Sequence, residues 1–159
     1  MAKALFPAPD HDHGVCIDQI MRRAHDRFEE RGERLTKLRE AVFRMLAESH
    51  EALGAYQVIE KLRGRGRRIA PISMYRVLDV LCQAGLVHRI ESRNAYVACH
   101  GSGCEERPVL FMVCENCGRM AETPDSALGE NVKKLARSAN FRTKESVLEI
   151  SGLCGHCAG

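Results

Sequence analysis

Two Cys-x-x-Cys pairs lie far apart in this chain, Cys114-Glu-Asn-Cys117 and Cys154-Gly-His-Cys157. A structural zinc ion takes a closed tetrahedral shell of nitrogen and sulfur ligands, and two such knuckles supply four thiolates with little strain. A metal held by all four would tie remote parts of the chain together and close a C-terminal domain around itself. A redox dithiol is the rival reading. It requires an isolated pair at a helix N-terminus, where the dipole lowers the thiol pKa. Here both pairs follow strand-like runs, precede glycine or alanine, and come as two. His156, inside the second knuckle, is expected to face solvent.

The chain has 159 residues, enough for one domain or two small ones. A half of that size buries little surface, so a metal staple matters to it. The net charge of +3 is unevenly spread. Residues 1–98 carry 17 Lys/Arg against 13 Asp/Glu, and residues 99–159 carry 7 against 8. From Lys61 to Arg76 there are six basic residues and no acidic one, the signature of a nucleic-acid face. A solvated arginine-rich loop is the bland alternative. Residues 1–14 are polar and broken by Pro7, Pro9 and Gly14, which fits a disordered tail rather than a signal peptide. His11 and His13 have metal-ligand chemistry but lie in that tail. No apolar run approaches the roughly 18 residues of a membrane span. A cytoplasmic location is expected, and there paired cysteines read as metal ligands rather than disulfides.

Ile17, Ile20, Met21, Ala24 and Phe28 mark one face of a first helix, ended by Gly32. Thr36 has the chemistry of an N-cap for a second, lined by Leu38, Ala41, Val42, Met45 and Leu46. After Gly54, Ala55, Val58, Ile59 and Leu62 mark a third, followed by a loop over residues 63–68 that holds Arg65, Arg67 and Arg68. Pro71 and Ser73 announce a fourth helix with Met74, Val77, Leu78, Leu81 and Cys82 inward, stopped by Gly85. Strand-like runs at 87–90 and 95–99 flank a turn at Ser92-Arg93-Asn94. Helices followed by a β-hairpin are the order of a winged helix-turn-helix. The outward face of the fourth helix carries Tyr75, Arg76, Asp79 and Gln83. Arginine grips guanine or phosphate, and an aromatic ring packs on a thymine methyl.

Residues 99–108 form the expected linker. Beyond it the pattern reads β–β–α–β: a strand over 109–114, a helix lined by Leu128, Val132, Leu135, Ala136 and Ala139, and a long strand over 141–151. An α+β unit of this size with a free sheet edge is a natural dimerisation domain. Cys16 has no assigned role.

Certain runs resemble the ferric-uptake-regulator family of metal-responsive repressors. They are Arg34-Leu35-Thr36 with Arg39, Ser73-Met74-Tyr75-Arg76-Val77-Leu78, Gly85-Leu86-Val87-His88-Arg89 and Val113-Cys114-Glu115-Asn116-Cys117-Gly118. The resemblance covers residues 15–157. It implies an α+β fold: a winged helix-turn-helix DNA-binding domain over 15–98, a hinge over 99–108 and a zinc-binding α+β dimerisation domain over 109–159. Within the family the chain is most similar to the zinc sensors. The histidine-rich run that precedes the first Cys-x-x-Cys in iron and peroxide sensors reads Arg107-Pro108-Val109-Leu110-Phe111-Met112 here, and Cys99 ends the wing. A thiolate ligand favours zinc over harder metals.

The resemblance implies two zinc ions per subunit. The structural one falls to Cys114, Cys117, Cys154 and Cys157. The regulatory one falls to His88, Cys99 and Glu122, with Cys104 or His100 as fourth ligand, because the usual histidine aligns with Arg107 and arginine stays protonated. Ser73, Tyr75 and Arg76, with Arg65, Arg67 and Arg68, are the expected DNA-binding residues. The implied function is zinc-dependent repression of zinc-uptake genes by a homodimer on double-stranded operator DNA, with no membrane, small-molecule substrate or catalysis involved. The alternatives are an iron or manganese sensor of the same family, and a thiol redox enzyme.

Overall fold

In a computed structural model the chain is described over residues 14–49, 51–100, 109–123, 126–143 and 147–159. The expected tail histidines His11 and His13, and the hinge residues Cys104 and Arg107, lie outside these residues. Two compact units meet in sequence between His100 and Gly101.

The N-terminal unit contains α1 (Gly14–Glu30), α2 (Lys37–Ala47), α3 (Ala55–Gly64), α4 (Pro71–Gln83), β1 (Val87–Ile90) and β2 (Ala95–Ala98). Its core gathers Met21, Ala24 and Phe28 of α1, Phe43 and Leu46 of α2, and Met74 and Leu78 of α4, all buried. Thr36 caps α2 by accepting from Arg39 N–H at 3.3 Å. The Arg39 side chain donates to the Arg34 carbonyl at 2.8 Å and lies over the Phe28 ring at 5.3 Å. The Arg34-Leu35-Thr36…Arg39 run is therefore a clasp between α1 and α2, built from a cap and a cation–π contact.

Four helices end in one manner. Gly32, Gly66, Gly85 and Asn140 have φ of +63°, +79°, +67° and +54°. In each case the next N–H reaches back five residues, as in Glu33→Phe28, Arg67→Leu62, Leu86→Leu81 and Phe141→Ala136. This left-handed C-terminal motif satisfies carbonyls the helix leaves open. It corrects the sequence reading of α3. The helix runs through Gly64, and Gly66 supplies the positive φ that ends it.

The wing is antiparallel, with His88 opposite Val97 and Arg89 opposite Tyr96. Its tip is a 3-10 turn over Glu91–Arg93 closed by Asn94 at φ +46°. Tyr96 also exchanges backbone hydrogen bonds with Leu53 at 2.9 and 2.8 Å, so the segment before α3 adds a one-residue third strand. That pairing leaves all four β2 residues buried.

The C-terminal unit holds β3 (Val109–Cys114), β4 (Met120–Thr123), α5 (Ser126–Ser138) and β5 (Val147–Gly152). The strand order is β4-β3-β5, with β3–β4 antiparallel and β3–β5 parallel. The last strand begins at Val147, not at Phe141 as its apolar start suggests. Asn140 ends α5 in the left-handed conformation, and Phe141 donates back to it, leaving Phe141 outside the sheet. The expected inward stripe of α5 is only half-covered, with Leu135 71% exposed. Ile150 on edge strand β5 is likewise exposed.

Candidate metal centre and nucleic-acid face

Parallel pairing decides the metal centre. Cys114 ends β3 directly beside Gly152, which ends β5. Parallel strands finish at the same edge of a sheet. The two Cys-x-x-Cys turns therefore leave the sheet side by side. Each turn closes on its own first cysteine: Gly118 N–H to Cys114 O at 3.0 Å, and Ala158 N–H to Cys154 O at 3.0 Å. The four sulfurs of Cys114, Cys117, Cys154 and Cys157 lie within 4.8 Å of one another, and Cys117 and Cys154 are 3.8 Å apart. Zinc–sulfur bonds of about 2.3 Å in a tetrahedron require sulfur–sulfur edges of about 3.8 Å. The donor set and its spacing fit zinc.

The electrostatics agree. The backbone N–H of Cys154, with that of Cys117, draws the Cys114 thiol down to about 6 against the opposing effect of burial. At Cys157 the Asn116 side chain favours the thiolate, but the neighbouring sulfurs and burial push the thiol up to about 11. One anion is well held, and a second beside it is opposed. A cation among the four sulfurs removes that conflict.

The wing brings together two of the expected regulatory residues. Cys99 N–H donates to Leu86 O at 2.9 Å, extending the β1–β2 register by one step. Residues two apart on a strand share a face, so His88 and Cys99 are diagonal neighbours, about 7–8 Å apart by their place in the ladder. Cys99 is buried, and the His88 Nε2 atom is shielded from solvent. The Cys99 sulfur is engaged in a disulfide. A disulfide and a metal–thiolate bond are exclusive at one sulfur, so only the reduced form offers this ligand. His100 is exposed, and its Nδ1 lies 2.9 Å from the Ala98 carbonyl. A carbonyl only accepts, so this nitrogen carries the proton. Glu122 sits half-buried on β4 of the C-terminal unit, opposite Phe111.

On α4 the residues at 72, 75, 76, 79 and 83 are exposed, a single stripe at helical spacing that carries Tyr75 and Arg76, with Ser73 exposed beside it in the first turn. The loop arginines divide. Arg65 pairs with Glu48 at 2.7 Å and Arg67 donates to the Lys37 carbonyl at 3.3 Å, so both brace the loop against α2. Arg68 instead lines a cavity of about 320 Å³ with Arg63, Ile59 and Ile69. A second cavity, about 440 Å³, sets Arg39 beside Arg76 and Asp79. Arg63 and Arg39 were not among the expected DNA-binding residues, because helical spacing does not show which cations converge across elements. Tyr56 and Ile72, 64% and 71% exposed, also escaped it. Their signal was present: each is a large apolar residue off its helix's buried stripe.

Fold and site together define a winged-helix protein with a four-cysteine cluster of metal-site geometry. The chain belongs to the ferric uptake regulator family, whose model matches residues 30–151. Members of this family are transcriptional regulators, not enzymes. The chain is 30% identical over 143 residues to the zinc uptake regulation protein of Escherichia coli, covering 90% of this chain and 84% of that one. It is 31% identical over 127 residues to the ferric uptake regulation protein of Legionella pneumophila, covering 79% and 92%. A solved zinc uptake regulator complexed with zinc and DNA matches with a TM-score of 0.82 at 30% identity, covering 89% of this chain and 95% of that one.

Proposed function

We propose that this protein is a zinc-responsive transcriptional repressor, acting in the cytoplasm as a homodimer on operators of zinc-uptake genes. The four-cysteine cluster is its structural zinc site. His88, Cys99 and Glu122, with Cys104 or His100, are the regulatory ligands, giving two zinc ions per subunit. The observation that carries the zinc reading is the placement of a cysteine beside a histidine on one face of the wing. Sulfur and imidazole together select zinc over metals that prefer oxygen.

When bound, the regulatory metal supplies a cross-link among nitrogen, sulfur and oxygen donors. The chain's own residues do the rest. Ligands from both sides of segment 101–108 lose freedom together, and the state able to seat two recognition helices in successive major-groove faces gains population. Ser73, Tyr75 and Arg76 read bases or their sugars from α4. Arg68, with Arg65 and Arg67 behind it, meets phosphates and makes affinity depend on salt.

An electrophoretic shift of an operator fragment by reduced, zinc-loaded dimer tests this reading. A chelator that strips only the weaker zinc is expected to abolish the shift. Retention of the shift would sink the sensing role. The similarity to the Legionella iron regulator favours a second reading, an iron sensor. Metal content after growth in mixed metals separates the two.

A further inference from the structure

We infer that Arg23, on the first helix, is a positioning residue for the regulatory metal site. The inference rests on the proposed role of Cys99 as a ligand of that site. Helix α1 is otherwise a packing element: its Ile20, Met21, Ala24 and Phe28 are buried in the core. Arg23 stands beside that stripe and is half-buried. Its guanidinium crosses 76 residues of sequence to donate to the Cys99 carbonyl, and its other terminal nitrogen lies 3.5 Å from the His100 carbonyl.

The location gives this fork its meaning. The wing ladder ends at Cys99, whose N–H makes the last strand bond, to Leu86 O at 2.9 Å. Beyond it the backbone leaves the sheet, and strand ends fray unless held. Arg23 holds this one from the other side. The Cys99 main chain is thus fixed by β1 through its N–H and by α1 through its C=O. The next side chain, His100, is oriented by its Nδ1 contact with the Ala98 carbonyl. Arginine suits the task because its planar fork presents several N–H groups in fixed geometry, and two adjacent carbonyls match it. Lysine offers a single centre. These bonds are to main-chain oxygens, so they leave the Cys99 sulfur itself to the metal once it is reduced. A ligand whose backbone is set beforehand loses less freedom on binding metal, and partners that orient ligands are worth about 10- to 100-fold in metal affinity.

The test is a zinc titration of the full-length reduced dimer against a chromophoric chelator, with thermal unfolding followed in parallel. Arg23→Ala is expected to weaken the second zinc equivalent by about tenfold or more, leaving the tight equivalent and its stoichiometry unchanged, and Arg23→Lys to weaken it less. Equal second-site affinity in wild type and Arg23→Ala overturns the proposal. So does an equal weakening of both equivalents in a folded Arg23→Ala, which would mark Arg23 as merely structural. If Arg23→Ala does not fold, Arg23→Lys decides: a second site as tight as wild type overturns the proposal. His88→Ala separates the two readings. Retention of the second equivalent there sinks the regulatory site itself. Its loss in His88→Ala with retention in Arg23→Ala sinks the Arg23 proposal alone.

Discussion

The backbone N–H of Cys154 donates to the sulfur of Cys114 at 3.3 Å, joining residues 40 apart in sequence. This bond knits the second knuckle onto the first before any metal is considered. It follows from the parallel pairing of β3 with β5, which puts Cys114 beside Gly152.

Cys154→Ser therefore removes a ligand and weakens the bridge between strand ends. One zinc per subunit should be lost by native mass spectrometry. The melt of the C-terminal unit should fall below physiological temperature, because structural zinc contributes on the order of 10 kcal/mol of folding free energy. A variant with full zinc content and an unchanged melt would show that the cluster is not a metal site.

The metal-free chain should have a characteristic pH response. The Cys114 thiol is drawn from its usual 9.0 down to about 6 by backbone N–H groups. A lowered folded pKa adds stability above the unfolded value, and that stability is lost as pH falls through the folded one. The Cys157 thiol, raised to about 11, favours the folded state below 9.0 and loses that contribution as pH rises through 11. Between pH 6 and 9 only the first effect changes, so denaturant stability of the chelated protein should rise with pH. Cys114→Ser should flatten this slope; a slope unaltered by that substitution would contradict the assignment.

Two glycines separated by one residue should respond with opposite signs to alanine. Gly66 has φ +79° and open space around its Cα, so Gly66→Ala meets only backbone strain, about 1–2 kcal/mol. Gly64 is the last residue of α3, with no atom within 4 Å of an added methyl, so Gly64→Ala should stabilise by about 0.4–1 kcal/mol. Urea midpoints at a constant slope measure both. Equal signs would mean that α3 does not end as described.

On the proposed DNA face, Arg76→Ala should weaken specific operator binding by about 5- to 150-fold, equivalent to about 1–3 kcal/mol, without altering zinc content. Arg68→Ala should weaken binding uniformly across sequences and lower the slope of log affinity against log salt by about 0.9. Fluorescence anisotropy over a salt series distinguishes them. Sequence-selective loss in Arg68→Ala would exchange the two roles.

Local chemistry made much of this protein readable from its sequence. Thr36 caps α2, Gly32 and Gly85 end their helices, and apolar spacing gives four helices with their inward faces, because caps, left-handed turns and helical periodicity act over a few residues. The cysteine spacing likewise named a four-sulfur site. What stayed hidden depends on partners remote in the chain. Gly64 and Gly66 look alike until the Arg67-to-Leu62 hydrogen bond shows which one ends the helix. Phe141 reads as strand until Asn140 turns the chain away.

By itself the sequence determined the order of elements and the inventory of ligands and cations. Only the tertiary structure decided that β5 lies parallel to β3, which brings Cys154 to Cys114. It also decided that Arg65 and Arg67 brace α2 while Arg68 joins Arg63, and that Arg23 holds the end of the wing. Strand direction and the reach of a long side chain are set by packing between distant segments, and short-range spacing records neither.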